Sequence, residues 1–163
     1  MVLSREFDPR TKEFYRELPR AQKVENYVCK LLMGELTEPG DKDGDVILPD
    51  GRKVEVKYDK LSKKTGRVAI EYQAYGNKTG IERSGAHFYF IVCYDKDWSE
   101  IVDGVRMDGW WVGIVIARDT LLELIETIPF KDVFGGDNRA TRMKLVPIED
   151  IREASLKIFP IKH

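Results

Sequence analysis

Histidine and cysteine are nearly absent from this chain, with two of each among 163 residues. His87 and His163 are too few for the usual zinc sites. Cys29 and Cys93 lie far apart in apolar stretches, which predicts buried free thiols rather than ligands or a redox pair. No Gly-x-Ser-x-Gly elbow accompanies His87, so a serine-hydrolase triad has no support. Gly-x-x-x-x-Gly-Lys and Gly-x-Gly-x-x-Gly are both missing, which removes the nucleotide-fold signatures. No apolar run approaches the ~20 residues of a membrane span. Met1 to Arg10 mixes Arg, Glu and Asp without an apolar core, so no secretory signal is expected and a cytoplasmic, intracellular protein is. A net charge of −1 leaves any nucleic-acid affinity to local patches.

What remains, 42% apolar and 34% charged, predicts a globular chain. One domain over 1–163 is expected, with a core over about 20–128 and a C-terminal extension over 129–163. Residues 1–18 are polar, with scattered aromatics. A helix is expected from Pro19 to Met33, stopped by Gly34, with Ala21, Val24, Val28, Leu31 and Leu32 on one face. A hairpin over about 45–58 and a third strand over Val68–Gln73 follow, then loop or irregular helix over 75–86. His87–Tyr94 and Trp110–Ala117 read as strands around a polar connection from Asp95 to Gly109, and Thr120 with Glu123 as a capping box. A long loop with a Gly135-Gly136 turn is expected over 129–145, and a short helix and strand-like tail from Pro147. The order predicts an α/β fold with a mixed sheet.

The hairpin carries the chemistry. Leu48-Pro49-Asp50-Gly51 suits a type I turn closed by a left-handed Gly51, a three-residue loop that pairs Leu48 with Arg52, Val46 with Val54 and Asp45 with Glu55. Val46, Leu48, Val54 and Val56 then line an apolar face, while Asp45, Glu55 and Lys57 project together from the other. A two-residue Asp-Gly loop would shift the register and put Asp45 opposite Glu55's face; Pro49 favours the longer loop. Two carboxylates beside an ammonium suit a hard divalent cation, Mg²⁺ or Mn²⁺, held by Asp45 and Glu55 with the Val56 carbonyl adding a ligand.

Glu25 lies about 20° from Leu32 and about 60° from Val28 around the helix, inside the apolar stripe. A carboxylate there either points at the metal site or sits at the stripe's margin, snorkelling outward or paired with a cation. Arg52, Lys53, Lys57, Lys60, Lys63, Lys64 and Arg67 form a basic segment suited either to a phosphate backbone or to a solvated mobile loop. Asp41, Asp43 and Asp45 open like a Ca²⁺ loop, but Val46 and Arg52 stand where an EF-hand needs Gly and Glu.

On Asp45, Glu55-x-Lys57 and the helix acid Glu25, the chain resembles the PD-(D/E)xK nuclease superfamily over roughly residues 20–95, and within it the Holliday-junction resolvase and phage nuclease branches. The resemblance implies a restriction-endonuclease-like αβββαβ core, a central mixed sheet flanked by helices. It implies a Mg²⁺- or Mn²⁺-dependent deoxyribonuclease, structure-selective for branched or junction DNA, leaving 5′-phosphate and 3′-hydroxyl ends. It extends to a phage-encoded origin and to a homodimer. Asp45 and Glu55 correspond to the metal-binding acids, Lys57 to the catalytic lysine, and Glu71 and Gln73 to further polar site positions. Gly44 replaces the motif's proline, and the Gln-x-x-x-Tyr signature of the exonuclease branch is not met after Gln73. Asp50, at the turn tip about 16 Å along the strand from Glu55, is a decoy.

Substrate contacts are expected from Lys53, Lys60, Lys63, Lys64, Arg67, Lys78 and Arg83, with Trp98, Trp110, Trp111, Arg139, Arg142 and Lys144 as weaker candidates. RNA as substrate stays open. The rival class is a nucleic-acid-binding or protein-interaction module that keeps the fold without turnover.

Overall fold

The computed structural model describes residues 21–38, 41, 43–135 and 139–161; the polar residues 1–18, Pro19 and the Gly136 half of the glycine turn lie outside them. The first helix, α1, spans Ala21–Leu31. Val24 and Val28 are fully buried on its inner face, with Leu31 and Leu32 packed beside them. It ends in a manner the sequence did not suggest. Met33 takes the left-handed conformation, and Gly34, whose N–H donates to the Cys29 carbonyl, is needed because a Cβ there would stand 2.6 Å from the Ile47 carbonyl oxygen.

Strands β1 (Glu35–Leu36), β2 (Val46–Ile47) and β3 (Lys53–Tyr58) open the main sheet. The hairpin has the three-residue loop: Gly51, at φ +90°, donates to the Leu48 carbonyl, and Leu48 donates to Arg52. Val46 faces Val54, and both are buried against α1 with Leu48 and Val56 at their margin. Each fully buried valine contributes roughly 1.5 kcal/mol or more. The one-residue-shifted hairpin is therefore not the one formed.

After β3 the chain makes a short helical turn, α2 (Ser62–Thr65), and enters β4 (Arg67–Ala74), β5 (Asn77–Lys78) and a 3₁₀ turn over Gly80–Glu82. It returns as β6 (Phe88–Val102), which pairs parallel with β3, then β7 (Val105–Ala117), α3 (Arg118–Thr127), β8 (Lys131–Gly135), β9 (Thr141–Pro147), α4 (Ile148–Glu153) and β10 (Lys157–Pro160). The mixed main sheet has the order β1-β2-β3-β6-β7-β10, and a second sheet has the order β5-β4-β9-β8.

This is the expected α/β class with a mixed sheet, and four expectations are corrected. The third strand, β4, leaves the main sheet and pairs with β9, so β3 meets β6 directly. The supposed polar connection over Asp95–Gly109 is a continuous ribbon turned at Asp103 and Gly104, both at positive φ, the geometry of a two-residue hairpin. The supposed loop over 129–145 is the β8–β9 hairpin. Thr120 and Glu123 lie inside α3, whose N-cap is Ala117, three residues earlier, with the Arg118 N–H satisfied by the His87 carbonyl rather than by a side-chain cap. Residues 131–161 supply strands to both sheets and bury Val146, Ile148, Ile151 and Ile161.

The core has two layers. Val24, Val28, Val46, Val54, Phe90, Val92 and Trp111 pack between α1 and the main sheet. Tyr89, Ile91, Ile114 and Ile116 on the sheet's other face meet Val68, Ile70 and Val146 of the second sheet and Leu121 of α3. Both cysteines are free, Cys93 buried and Cys29 partly so. Among the described residues no helix is long and apolar enough to cross a membrane.

Gly44 decides where the first acid sits. It is buried at φ +148°, and a Cβ would stand 2.9 Å from the Val54 carbonyl oxygen. Proline, fixed near −65°, cannot adopt that angle. Gly44→Pro, which restores the literal motif, should therefore lower unfolding stability by ~2–3 kcal/mol. Urea unfolding checks this; an unchanged midpoint contradicts it.

Candidate active site

Strand β2 is short, and its ladder with β3 ends at Val46–Val54. Asp45 therefore does not pair with Glu55 through backbone bonds, as the hairpin register alone predicted. Its N–H instead donates to the Val54 carbonyl, and its Oδ2 accepts the Val56 N–H at 2.8 Å. The side chain takes the place of the missing strand at this edge of β3. From the other side Thr37 donates through Oγ1 to the Gly44 carbonyl and through N–H to the Asp45 carbonyl, so the bend is held on both flanks.

Glu55 alternates with buried Val54 and half-buried Val56 and stands beside Tyr89 in the parallel register, as Lys57 stands beside Ile91. Its burial, then the charge of Asp45, push the Glu55 carboxyl up to about 7, with Glu25 and Asp41 adding to the rise and Lys57 opposing it. Glu25 projects from α1 toward the same place. Burial, the Asp45 charge and a hydrogen bond between the two carboxyl groups raise it above an ordinary glutamate. Glu25, Asp45, Glu55 and Lys57 are thus electrostatically one group, and two of its three acids hold protons more tightly than free carboxyls do.

The other expected residues divide. Lys53 is committed to Asp41 at 2.7 Å. Glu71 and Gln73 are separated by a β-bulge that breaks their alternation, and Gln73 accepts a hydrogen bond from Arg142 at 3.3 Å. Glu71 reaches the site only through Tyr89, whose phenol it helps to raise. Lys78 and Arg83 are exposed on the β5 and 3₁₀ segment, Lys78 at 4.0 Å from Glu82. Lys60, Lys63, Lys64 and Arg67 cluster around α2, past the end of β3. Trp110 and Trp111 are buried and so are removed as substrate contacts, while Arg142 and Lys144 both bind Asp132.

Tyr89 was not anticipated. It is 1% exposed, neighbours Glu55, and has its phenol pushed well above the usual value, by burial first and by the charge of Glu55 next. Only the non-local pairing of β3 with β6 brings it there. Asp41 was read only as part of a failed Ca²⁺ loop, yet its charge reaches Glu55.

No protein-family model matches the chain, and no curated protein sequence matches it. The donor set of Asp45, Glu55 and Glu25 is all oxygen and suits a hard divalent cation. Among the described residues no three such side chains form a ready-made metal cage. Asp45 Oδ2 already holds a backbone N–H, so a cation here would take two carboxylates with water completing its shell. The crowding of like charges is the observation that favours such a cation.

Glu55 titrates near 7 when folded against an ordinary 4.5, so between those values the folded chain holds the extra proton and stability falls as pH rises. Glu55→Gln should therefore stabilise by about 1–2 kcal/mol at pH 8, a figure discounted for partial solvent access, and by nothing at pH 4. Equal gains in urea unfolding at both pH values contradict this origin. At pH 8, millimolar Mn²⁺ or Mg²⁺ should raise the melting temperature of the unmodified chain and leave Glu55→Gln nearly unmoved. An unmoved parent chain would count against cation binding.

Proposed function

We propose that this chain is a metal-dependent DNA endonuclease on a PD-(D/E)xK-like core, acting on branched or junction DNA. The observation that carries this reading is the electrostatic union of Asp45, Glu55 and Glu25 with one lysine, Lys57, on the same strand as Glu55. Asp45 and Glu55 would hold Mg²⁺ or Mn²⁺, with Glu25 binding directly or through water and the Val56 carbonyl within the same strand segment. When bound, the cation supplies charge compensation for the scissile phosphate and lowers the pKa of an attacking water.

The chain's own residues do the rest. Lys57 orients or deprotonates the water and offsets charge on the pentavalent phosphate. Asp45 is held in place by the Val56 N–H, so its carboxylate needs little reorganisation. Glu55 sits against buried Tyr89, where water is scarce and charge interactions are strong. The rival reading, a binding module without turnover, draws on the lack of a ready-made metal cage among the described residues.

A panel of linear, nicked, flapped and four-way DNA with Mn²⁺ or with EDTA separates the two. Cleavage should appear with metal, vanish with EDTA, and favour the branched substrates. Lys57→Ala should lower its rate by roughly 10²-fold or more while leaving DNA affinity within a few-fold. DNA binding with no cleavage on any member of the panel would overturn the nuclease reading in favour of the binding module.

A further inference from the structure

Past the end of β3 and beside the middle of β6, away from Glu25, Asp45 and Glu55, lies a cavity of about 360 Å³ between α2, Tyr94–Asp97 of β6 and the start of α4. Its volume is that of a small ligand site. Its floor is an ion pair: Arg152 donates through Nη1 to both oxygens of Asp95 at 2.7 Å, and Asp95 is 1% exposed. Arg152 also reaches Asp97 at 3.5 Å. Above that floor stand Lys64, Arg67 and Lys96, whose side chains make no hydrogen bond or ion pair among the described residues, with Lys63 lying over the Tyr94 ring at 4.9 Å. Among the described residues, the cavity's acid with no ion pair of its own is Glu149.

These cations are not carried on a mobile loop. Asp59 accepts the Leu61 N–H through Oδ1 and the Ala69 N–H through Oδ2, tying the turn to β4. Ser62, 1% exposed, donates to the Asp59 carbonyl at 2.6 Å and accepts the Tyr94 N–H at 2.9 Å, tying it to β6. The Gly66 carbonyl accepts the Ile148 N–H at the entrance of α4. Three separate elements therefore fix a turn whose only exposed charges are positive. A fixed array of like charges beside a cavity loses little entropy when an anion arrives.

We infer that this cavity is a phosphate site, in which Lys64, Arg67 and Lys96 grip the sugar–phosphate backbone of a nucleic acid away from the point of cleavage. The inference deepens the nuclease reading and rests on it for the identity of the polyanion. The turn begins at Asp59, about 13 Å along β3 from Glu55 at ~3.3 Å per residue. A backbone phosphate held there would be about four nucleotides from the scissile one at ~3.4 Å per nucleotide of duplex axis.

The test measures binding in EDTA, where no cleavage can occur. Fluorescence anisotropy is recorded with labelled duplex and four-way DNA across a salt series, for the parent chain, for Lys64→Ala/Arg67→Ala/Lys96→Ala, and for a control with Lys30, Lys131 and Lys157 replaced by Ala. The cavity triple should weaken binding at least about 10-fold and lower the slope of log affinity against log salt by about 3, roughly 0.9 for each lost phosphate contact, and the control should do neither. Inorganic phosphate should compete with DNA on the parent chain and less on the cavity triple. Equal effects from the two triples, an unchanged salt slope, or no DNA binding by the parent chain would overturn the site. Binding that depends on the cavity without cleavage by the parent chain would leave the site standing and sink the nuclease reading. Cleavage undiminished by the cavity triple, with affinity unchanged, would do the reverse.

Discussion

One hydrogen bond organises the candidate site: the Val56 N–H donating to Asp45 Oδ2. A strand edge has backbone groups that need partners, and β2 begins two residues too late to supply one here, since the register would set Gly44 opposite Val56. The Asp45 side chain fills that role, which places a carboxyl group beside Glu55 and within reach of Glu25. That substitution depends in turn on Gly44, whose positive φ swings the chain out of the ladder where any side chain would meet the Val54 carbonyl. The acid is thus delivered by a bend rather than by strand pairing.

The hairpin was legible because its determinants are local. Pro49 sets one φ, Gly51 supplies another, and the alternation of Val46, Leu48, Val54 and Val56 does the rest. Helix α1 was legible for the same reason, since Val24 and Val28 recur on one face. Of β6 and β7, the buried strands over 87–94 and 110–117 were legible and the exposed ribbon joining them was not. Asp103-Gly104 is a known turn pair, but Ile101, Val102 and Val105 around it are exposed on a free-standing ribbon, so no half-buried alternation announces the strands. Nor was the destination of β4, because the choice between two sheets depends on β9, some seventy residues later in the chain. Glu55 and Lys57 could be placed on one face from sequence; Tyr89 beside Glu55 could not, because parallel pairing leaves no mark on either strand alone.

Burial and charge work against each other along β3. Its apolar positions secure the sheet to α1, while the intervening Glu55 is forced into the layer that holds Tyr89 and Ile91. A solvated glutamate on that strand would cost nothing, yet would carry no field strong enough to act on a phosphate. A buried one costs stability wherever it is ionised, and Lys57 offsets only part of that cost. Two remedies exist, a proton or a cation, and they differ in what they permit. A proton removes the Glu55 charge from the site; a cation would keep the acids ionised and bring positive charge, which the proposed phosphodiester chemistry would need.

The same reasoning separates the two ends of β3. Near Asp45 the chain concentrates negative charge on a bent, partly buried edge, which repels a polyanion unless a cation intervenes. Past Tyr58 it concentrates positive charge on a pinned turn, with the one buried acid there already matched by Arg152. On the proposed reading, a polyanion approaching the molecule would be drawn to the α2 end and held away from the carboxylates until a divalent ion is in place. On that same reading, binding and chemistry are governed by separate charges, Lys64, Arg67 and Lys96 for the one and Asp45 with the acids beside it for the other, so that affinity for nucleic acid would not depend on the metal.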